Sequence, residues 1–305
     1  MFLSHRMGHE FILTNQPFSW DHAGTQGYIT IATKSPGNVQ IEQAVVLASS
    51  LKLIDPDREF CLVVDKFDSV PQKYEDTFDS IVELPYGHYD PTEDIAINLW
   101  QLYACSTFEH TMYIDRRCIV TNNMDDLWDN MVLHDYIFSK SVENFRGETV
   151  PLEYRFSTHE RNDIPTYMTD VFYFNRSERS EQLFKMLDVV LKEFRRVYLK
   201  FINENRPGYF DLNLLINTTL KMLGEETNIH GHIPYKLLSL DNLTLDDDDL
   251  PTDWIDYLSS WFANGVFKVN NHRVSGIICY NSDAFLDEEI LDDYRQRVKD
   301  SNIRI

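Results

Sequence analysis

An α/β fold, a central sheet flanked by helices, is the architecture this sequence predicts, on three observations. Short β-branched or apolar runs alternate with helical patterns through the first two thirds of the chain. One of those runs, Phe60-Cys-Leu-Val-Val-Asp65, is almost continuously apolar, as expected of a strand covered on both faces. With 305 residues, of which 43% are hydrophobic and 13% aromatic, there is also enough apolar material to build a sizeable core.

The elements follow in order. Tyr28-Ile-Thr-Ile-Ala-Thr33 reads as a strand, closed by the loop composition of Lys34-Ser-Pro-Gly-Asn38. Over residues 41–53, Ile41, Ala44, Val45, Ala48 and Leu51 fall on one face of a 3.6-residue period, which predicts a helix. Strands are expected at residues 60–65 and 79–84. A helical pattern over residues 94–108 carries Ile95, Leu99, Leu102 and Tyr103 and leads into Thr111-Met-Tyr-Ile-Asp115, a strand that ends on an acid. After Cys118-Ile-Val120, the segment Thr121-Asn-Asn-Met-Asp-Asp-Leu-Trp128 reads as a turn entering a short helix. Residues 140–165 are polar and unassigned. Val171-Phe-Tyr-Phe174 predicts a further strand, and Leu183, Leu187, Val190, Leu191, Phe194 and Tyr198 a long amphipathic helix. Pro207-Gly208 breaks the chain, and helical spacing resumes over residues 211–223 until Gly224. The expected organisation is an N-terminal extension (1–26), a main domain (27–240) and an acidic, aromatic C-terminal extension (241–305) packing on it.

The formal net charge of −21 argues against broad nucleic-acid binding, which needs a basic surface. The basic strip such binding would require is offered only around Lys192, Arg195, Arg196 and Lys200. Cys61, Cys105, Cys118 and Cys279 show no CxxC spacing and sit in apolar stretches, the pattern of buried thiols in a reducing compartment. No signal-like N-terminus and no run long enough to span a membrane is seen, so a cytoplasmic location is expected, the host cytoplasm if the source is viral. Leu245-Asp-Asp-Asp-Asp-Leu-Pro251 lacks the spaced ligands of a calcium loop and reads as a solvated acidic loop. His230 and His232 have the spacing to share a metal on a strand, but no third ligand accompanies them, and a loop is expected there.

In an open α/β sheet, ligands gather beyond the carboxyl ends of the strands, which singles out Thr33, Lys34, Asp65, Asp115 and Arg117. Asp115 serves equally as a ligand-binding carboxylate or as a turn former. Arg116 and Arg117 offer guanidinium forks suited to a diphosphate, with surface ion pairing as the alternative.

Taken in order, several segments resemble the GT-A glycosyltransferases of the glycogenin-like kind (family 8 type), of which similar proteins occur in tailed phages. These are residues 28–33, Ala44-Val-Val-Leu-Ala-Ser-Ser-Leu51, Asn98-Leu-Trp-Gln-Leu-Tyr103, Tyr113-Ile-Asp-Arg-Arg-Cys-Ile-Val120 and Asn123-Met-Asp-Asp-Leu-Trp128. Met168-Thr-Asp170 before its strand resembles the family's Asn-x-Gly, and Asp211-Leu-Asn-Leu-Leu-Ile-Asn217 its Asp-Gln-x-Leu-Leu-Asn helix. The resemblance spans residues 27–224 and implies a single GT-A, Rossmann-like domain with a mixed central sheet. It implies transfer of a hexose or pentose from a nucleotide sugar, usually a UDP-sugar, to an acceptor hydroxyl. The acceptor stays open among a glycan, a protein hydroxyl and a modified DNA base. No membrane partner is expected.

In that family an Asp-x-Asp motif holds Mn²⁺ or Mg²⁺, which offsets charge on the departing diphosphate. Here Asp115 matches the first acid, but Arg117 stands in place of the second. The resemblance carries Asp115, Arg117 and Asp211 over as catalytic candidates, and Thr33, Lys34, Asp65, Asn98 and Arg116 as donor-binding candidates. His272 is a weak match to the family's late metal-binding histidine, because Gly276 follows it one residue too late; Asp115 and His272 are thus the only metal candidates. Two expectations follow: an enzyme in which Arg117 supplies the charge a metal would, or a catalytically inactive GT-A scaffold serving as a binding or structural protein.

Overall fold

The computed structural model describes residues 3–7, 10–14, 25–34, 36–87, 95–150, 159, 161–201, 212–225, 231–239, 253–263 and 266–301. Its strands are β1 (Leu3–Met7), β2 (Glu10–Thr14), β3 (Gln26–Ile31), β4 (Glu59–Val64), β5 (Ser80–Glu83), β6 (His110–Ile114), β7 (Cys118–Val120), β8 (Tyr136–Ser139), β9 (Met168–Asn175), β10 (Lys236–Leu237), β11 (Ser260–Ala263), β12 (Val266–Val269), β13 (His272–Val274) and β14 (Ile277–Cys279). The helices are α1 (Val39–Ile54), α2 (Gln72–Glu75), α3 (Leu102–Cys105), α4 (Asp125–Met131), α5 (Glu178–Lys192), α6 (Phe194–Phe201), α7 (Leu212–Leu223) and α8 (Glu288–Asp300).

Eight strands form the main sheet in the order β2-β1-β5-β4-β3-β6-β9-β8. β5, β4, β3 and β6 run parallel, while β9 is antiparallel to β6, and β8 to β9. The mixed α/β sheet predicted from the sequence is therefore present. Side chains alternate across it with the two-residue period of a pleated strand. Tyr28, Leu62, Val64, Met112, Ile114, Val171 and Tyr173 enter one core, with α1 and α8. Ile29, Cys61, Val63, Tyr113, Phe172 and Phe174 enter the other, with α3, α5 and α7. Two smaller sheets, β10-β14-β7 and β11-β12-β13, complete the fold. Through β14 and α8 the last part of the chain reaches the centre, since β14 pairs with β7 and α8 lies against α1.

Three local readings are corrected. The helix expected over residues 94–108 is a 3₁₀ segment, Ile95–Gln101, followed by the single α-turn of α3. Gln101 helps hold it: its Oε1 accepts from Tyr86 N–H, and its Nε2 donates to the Gly87 carbonyl and Asn98 Oδ1, so the segment is tied to the loop after β5. The long helix expected beyond residue 183 divides at Glu193 (φ −102°, ψ 15°), which separates α5 from α6. The helix predicted to be one-sided, α1, is buried at Ile41 and from Gln43 to Lys52, because α8 covers the face the sheet leaves free. Its polar residues find partners inside. Ser50 donates to the Leu47 carbonyl and accepts from Val120 N–H, and Lys52 pairs with Asp79 at 3.1 Å.

Among the described residues, no helix is long and apolar enough to cross a membrane. All four cysteines are buried free thiols.

Two substitutions test this packing. A Cβ at Gly27 would lie 2.5 Å from the Phe108 ring, so Gly27→Ala is expected to cost about 1–3 kcal/mol in urea unfolding. Asn217 on α7 clamps the approach to β9, accepting from Tyr167 N–H at 2.9 Å and donating to the Tyr167 carbonyl at 2.8 Å. Its replacement by Ala removes both of these bonds from a buried site, and a loss of about 3 kcal/mol is expected in the same assay.

Candidate functional site

β3 has β4 and β5 on one side and β6 on the other, so the sheet's topological switch point lies between β3 and β6. The two strands pair in register from Gln26 opposite His110 to Ile29 opposite Tyr113, and Thr30 Oγ1 donates to the Ile114 carbonyl at 2.6 Å. Their carboxyl ends thereby bring Thr33 and Lys34 to the same edge as Asp115, Arg116 and Arg117, and β4 delivers Asp65 there.

β6 ends in a turn built by Asp115. Its backbone N–H donates to the Asp170 carbonyl on β9 at 2.7 Å. Its Oδ1 accepts from Arg117 N–H at 2.9 Å, the side-chain-to-backbone bond of an Asx turn, and from Arg117 Nε at 3.0 Å. Asp115 is 4% exposed. Burial acts to raise its carboxyl pKa, but the charges of Arg117 and Arg116 and the two Arg117 hydrogen bonds outweigh it and bring the carboxyl down to about 2. Asp115 in turn is the largest influence holding the Arg117 guanidinium above its usual range. Arg117 keeps 28% of its side chain exposed, and Nε is the only guanidinium nitrogen bonded among the described residues.

Arg116 is buried, at 6% exposure. Its Nε donates to Gln43 Oε1 at 3.1 Å, Gln43 Nε2 donates to Asp283 Oδ1 at 2.9 Å, and Arg116 Nη1 is enclosed without a hydrogen-bond partner among the described residues. The surface ion pair open to it in the sequence is not what forms. Asp170 also belongs to this edge, accepting from Tyr235 Oη at 2.6 Å and adding negative charge near Arg117. From the C-terminal segment, Tyr280 N–H donates to the Arg117 carbonyl at 2.9 Å.

The remaining candidates are placed as follows. Thr33 N–H donates to Gln40 Oε1 at 3.2 Å, and Lys34 is exposed. Asp65 accepts from Ser69 Oγ at 2.7 Å, which closes the turn after β4. Asn98 is fully buried and accepts from Gln101. Asp211 and His230 lie outside the described residues. His272 is exposed on β13, edge-on to Phe145 with 5.6 Å between ring centroids, and takes no part in the Asp115 turn. His232 Nδ1 accepts from Lys140 N–H, and burial lowers its pKa, aided by Lys140. Among the described residues, no group of three His, Cys, Asp or Glu side chains could hold a metal ion.

Gln43, Asp170, Tyr235, Tyr280 and Asp283 were not singled out as site residues from the sequence. Asp170 alone left a signal, in the Met168-Thr-Asp170 segment before the β9 apolar run.

No family model matches the chain, and no curated protein aligns with it in sequence. Solved structures do. Mouse xyloside xylosyltransferase 1, in its apo form, superposes with a TM-score of 0.50 at 11% identity, over 86% of this chain and 99% of that one. The galactosyltransferase LgtC, in complex with donor and acceptor sugar analogues, gives a TM-score of 0.40 at 15% identity, over 57% of this chain and 70% of that one. The protein thus has the GT-A glycosyltransferase fold. The superposition with the xylosyltransferase covers almost the whole of that enzyme and carries this conclusion; at 11% identity it extends to the fold alone.

The Asp115 carboxyl makes acid stability a test of the turn. Its folded pKa, about 2, lies below its unfolded value near 3.8, so its contribution is complete above that value and lost as pH falls through about 2. Asp115→Asn is expected to lower urea stability by about 2 kcal/mol at neutral pH, a difference that closes as the pH falls toward 2. Unfolding midpoints of the two proteins measured across that range check it.

Proposed function

We propose that this protein is a glycosyltransferase that takes its nucleotide-sugar donor, a UDP-sugar by the family's usual choice, at the switch point between β3 and β6. Arg117 faces the departing diphosphate. Thr33, Lys34 and Asp65 at the neighbouring strand ends serve the nucleotide, with Arg116 and Asn98 behind them, and Asp211 is retained as a further acidic candidate. In the transfer, the acceptor oxygen bonds to the sugar's anomeric carbon as the bond from that carbon to the diphosphate breaks, and the acceptor hydroxyl's proton is given up to the departing diphosphate. Negative charge grows on the diphosphate, and a fixed guanidinium stabilises it without reorganising.

The observation that carries this reading is Arg117 itself: partly exposed, locked through Nε to a buried carboxylate, and free at both terminal nitrogens among the described residues. The same geometry fits poorly with Mn²⁺ or Mg²⁺. Asp115 Oδ1 already receives two Arg117 hydrogen bonds, and a divalent cation bound there would sit against a guanidinium of like charge. The protein would act where nucleotide sugars are made, in the cytoplasm, and for a phage protein in that of the host.

A second reading has its own support. The Asx turn gives Asp115 a structural role, and its near-complete burial suits a GT-A scaffold kept for binding rather than chemistry.

A melting series with UDP, GDP and their sugar conjugates, with and without EDTA, separates the two. At a hundredfold excess over Kd, a nucleoside diphosphate is expected to raise the midpoint by about 5 °C, equally in EDTA, and Arg117→Ala to remove that shift. A shift lost in EDTA overturns the metal-free site. No shift with any nucleotide overturns donor binding and leaves the scaffold.

A further inference from the structure

β7 begins one residue after Arg117 and pairs antiparallel with β14, with Cys118 directly opposite Cys279. The backbone bonds fix the kind of pair they form. Tyr280 N–H donates to the Arg117 carbonyl and Thr121 N–H to the Gly276 carbonyl, so 280/117 and 276/121 are hydrogen-bonded positions. Alternation along the ladder makes 118/279 a non-hydrogen-bonded pair, in which opposed Cα atoms approach to about 4.5 Å and side chains are closest. That separation lies inside the range a disulfide spans, about 4.4–6.8 Å. Both side chains enter the same core.

We propose that Cys118 and Cys279 are a modification site: a cross-strand dithiol that closes to a disulfide under a peroxide and staples β14 to the strand that follows Arg117. The bond, once closed, keeps the register of the ladder, with residue 118 opposite residue 279. One cysteine sulfur attacks hydrogen peroxide, the O–O bond breaks, and a sulfenic acid and water form. The second sulfur attacks the first, the S–OH bond breaks, and another water leaves. Two thiols have then lost two protons and two electrons to one peroxide. Both thiols are fully buried, so oxidation proceeds through local opening of the short β7–β14 ladder and is slow. The closed bond spans most of the second half of the chain, and its main effect is to restrict the unfolded ensemble. The inference is independent of the nucleotide-sugar reading.

The test treats the full chain with hydrogen peroxide, blocks remaining thiols with N-ethylmaleimide in denaturant, and maps peptides by mass spectrometry without reduction. The expected result is a 118–279 linked peptide, a melting midpoint raised by several degrees and returned to its starting value by dithiothreitol, and neither change in Cys279→Ala. Four alkylated cysteines after oxidation, a link between other cysteines, or a 118–279 link in a protein whose midpoint has fallen would each overturn the proposal. Peptide mapping of the unaltered chain keeps the test decisive even if Cys279→Ala folds poorly.

Discussion

Strand β3 has a parallel neighbour on each side and a helical layer against each face, and from that position the rest of the molecule is arranged. Its amide groups are committed to β4 and β6, and residues 27–31 are buried. Chain direction and register therefore have almost no freedom there: a one-residue slip would turn Ile29 and Ile31 into the core that holds Tyr28. The hydrogen bond from Thr30 Oγ1 to the Ile114 carbonyl ties β3 to β6 just where the two strands part. The loops that leave the sheet at that point are the ones that carry Lys34 and Arg117.

At this switch point, one carboxylate performs two tasks. Asp115 ends β6 by accepting the Arg117 N–H, which is backbone work, and fixes the Arg117 side chain through the same oxygen. The pair is nearly dry on the acid side and partly open on the guanidinium side, so its rigidity comes from burial and its reach from exposure. In a chain with a net charge of −21, such cations are local exceptions. Each is braced by a group from elsewhere: Arg116 by Gln43 and Asp283, Arg117 by Asp115 and, through its carbonyl, by Tyr280 N–H.

How much of this the sequence displays depends on the range of the interaction. Residues 28–33, 60–65 and 111–115 read as strands because a strand covered on both faces needs an apolar run, and that need is written locally. The amphipathic stripe of α5 was equally plain, since the opposite face of that helix meets water. α1 reads as a helix too, but its burial on the outer face does not, because that face is covered by α8 from the far end of the chain, and no local period announces a cover that arrives so late. The 3₁₀ form of residues 95–101 also depends on a partner outside the segment, the loop at Tyr86 and Gly87 that Gln101 binds.

For the site, the sequence by itself determined the residue types at the strand ends: an acid closing β6, two arginines after it, a lysine after β3. It also places an arginine, Arg117, two residues after that acid, where the resemblance to GT-A glycosyltransferases leads one to expect a second acid. Only the tertiary structure decided what those residues do to one another. Gln43 meets Arg116 across 73 positions and Asp283 across 240, and Asp170 meets the backbone of Asp115 from a strand running the opposite way. Hydrogen bonds and ion pairs of this kind act over about 3 Å in space, whatever the separation along the chain. Their partners become neighbours only once the sheet order and the covering helices are in place.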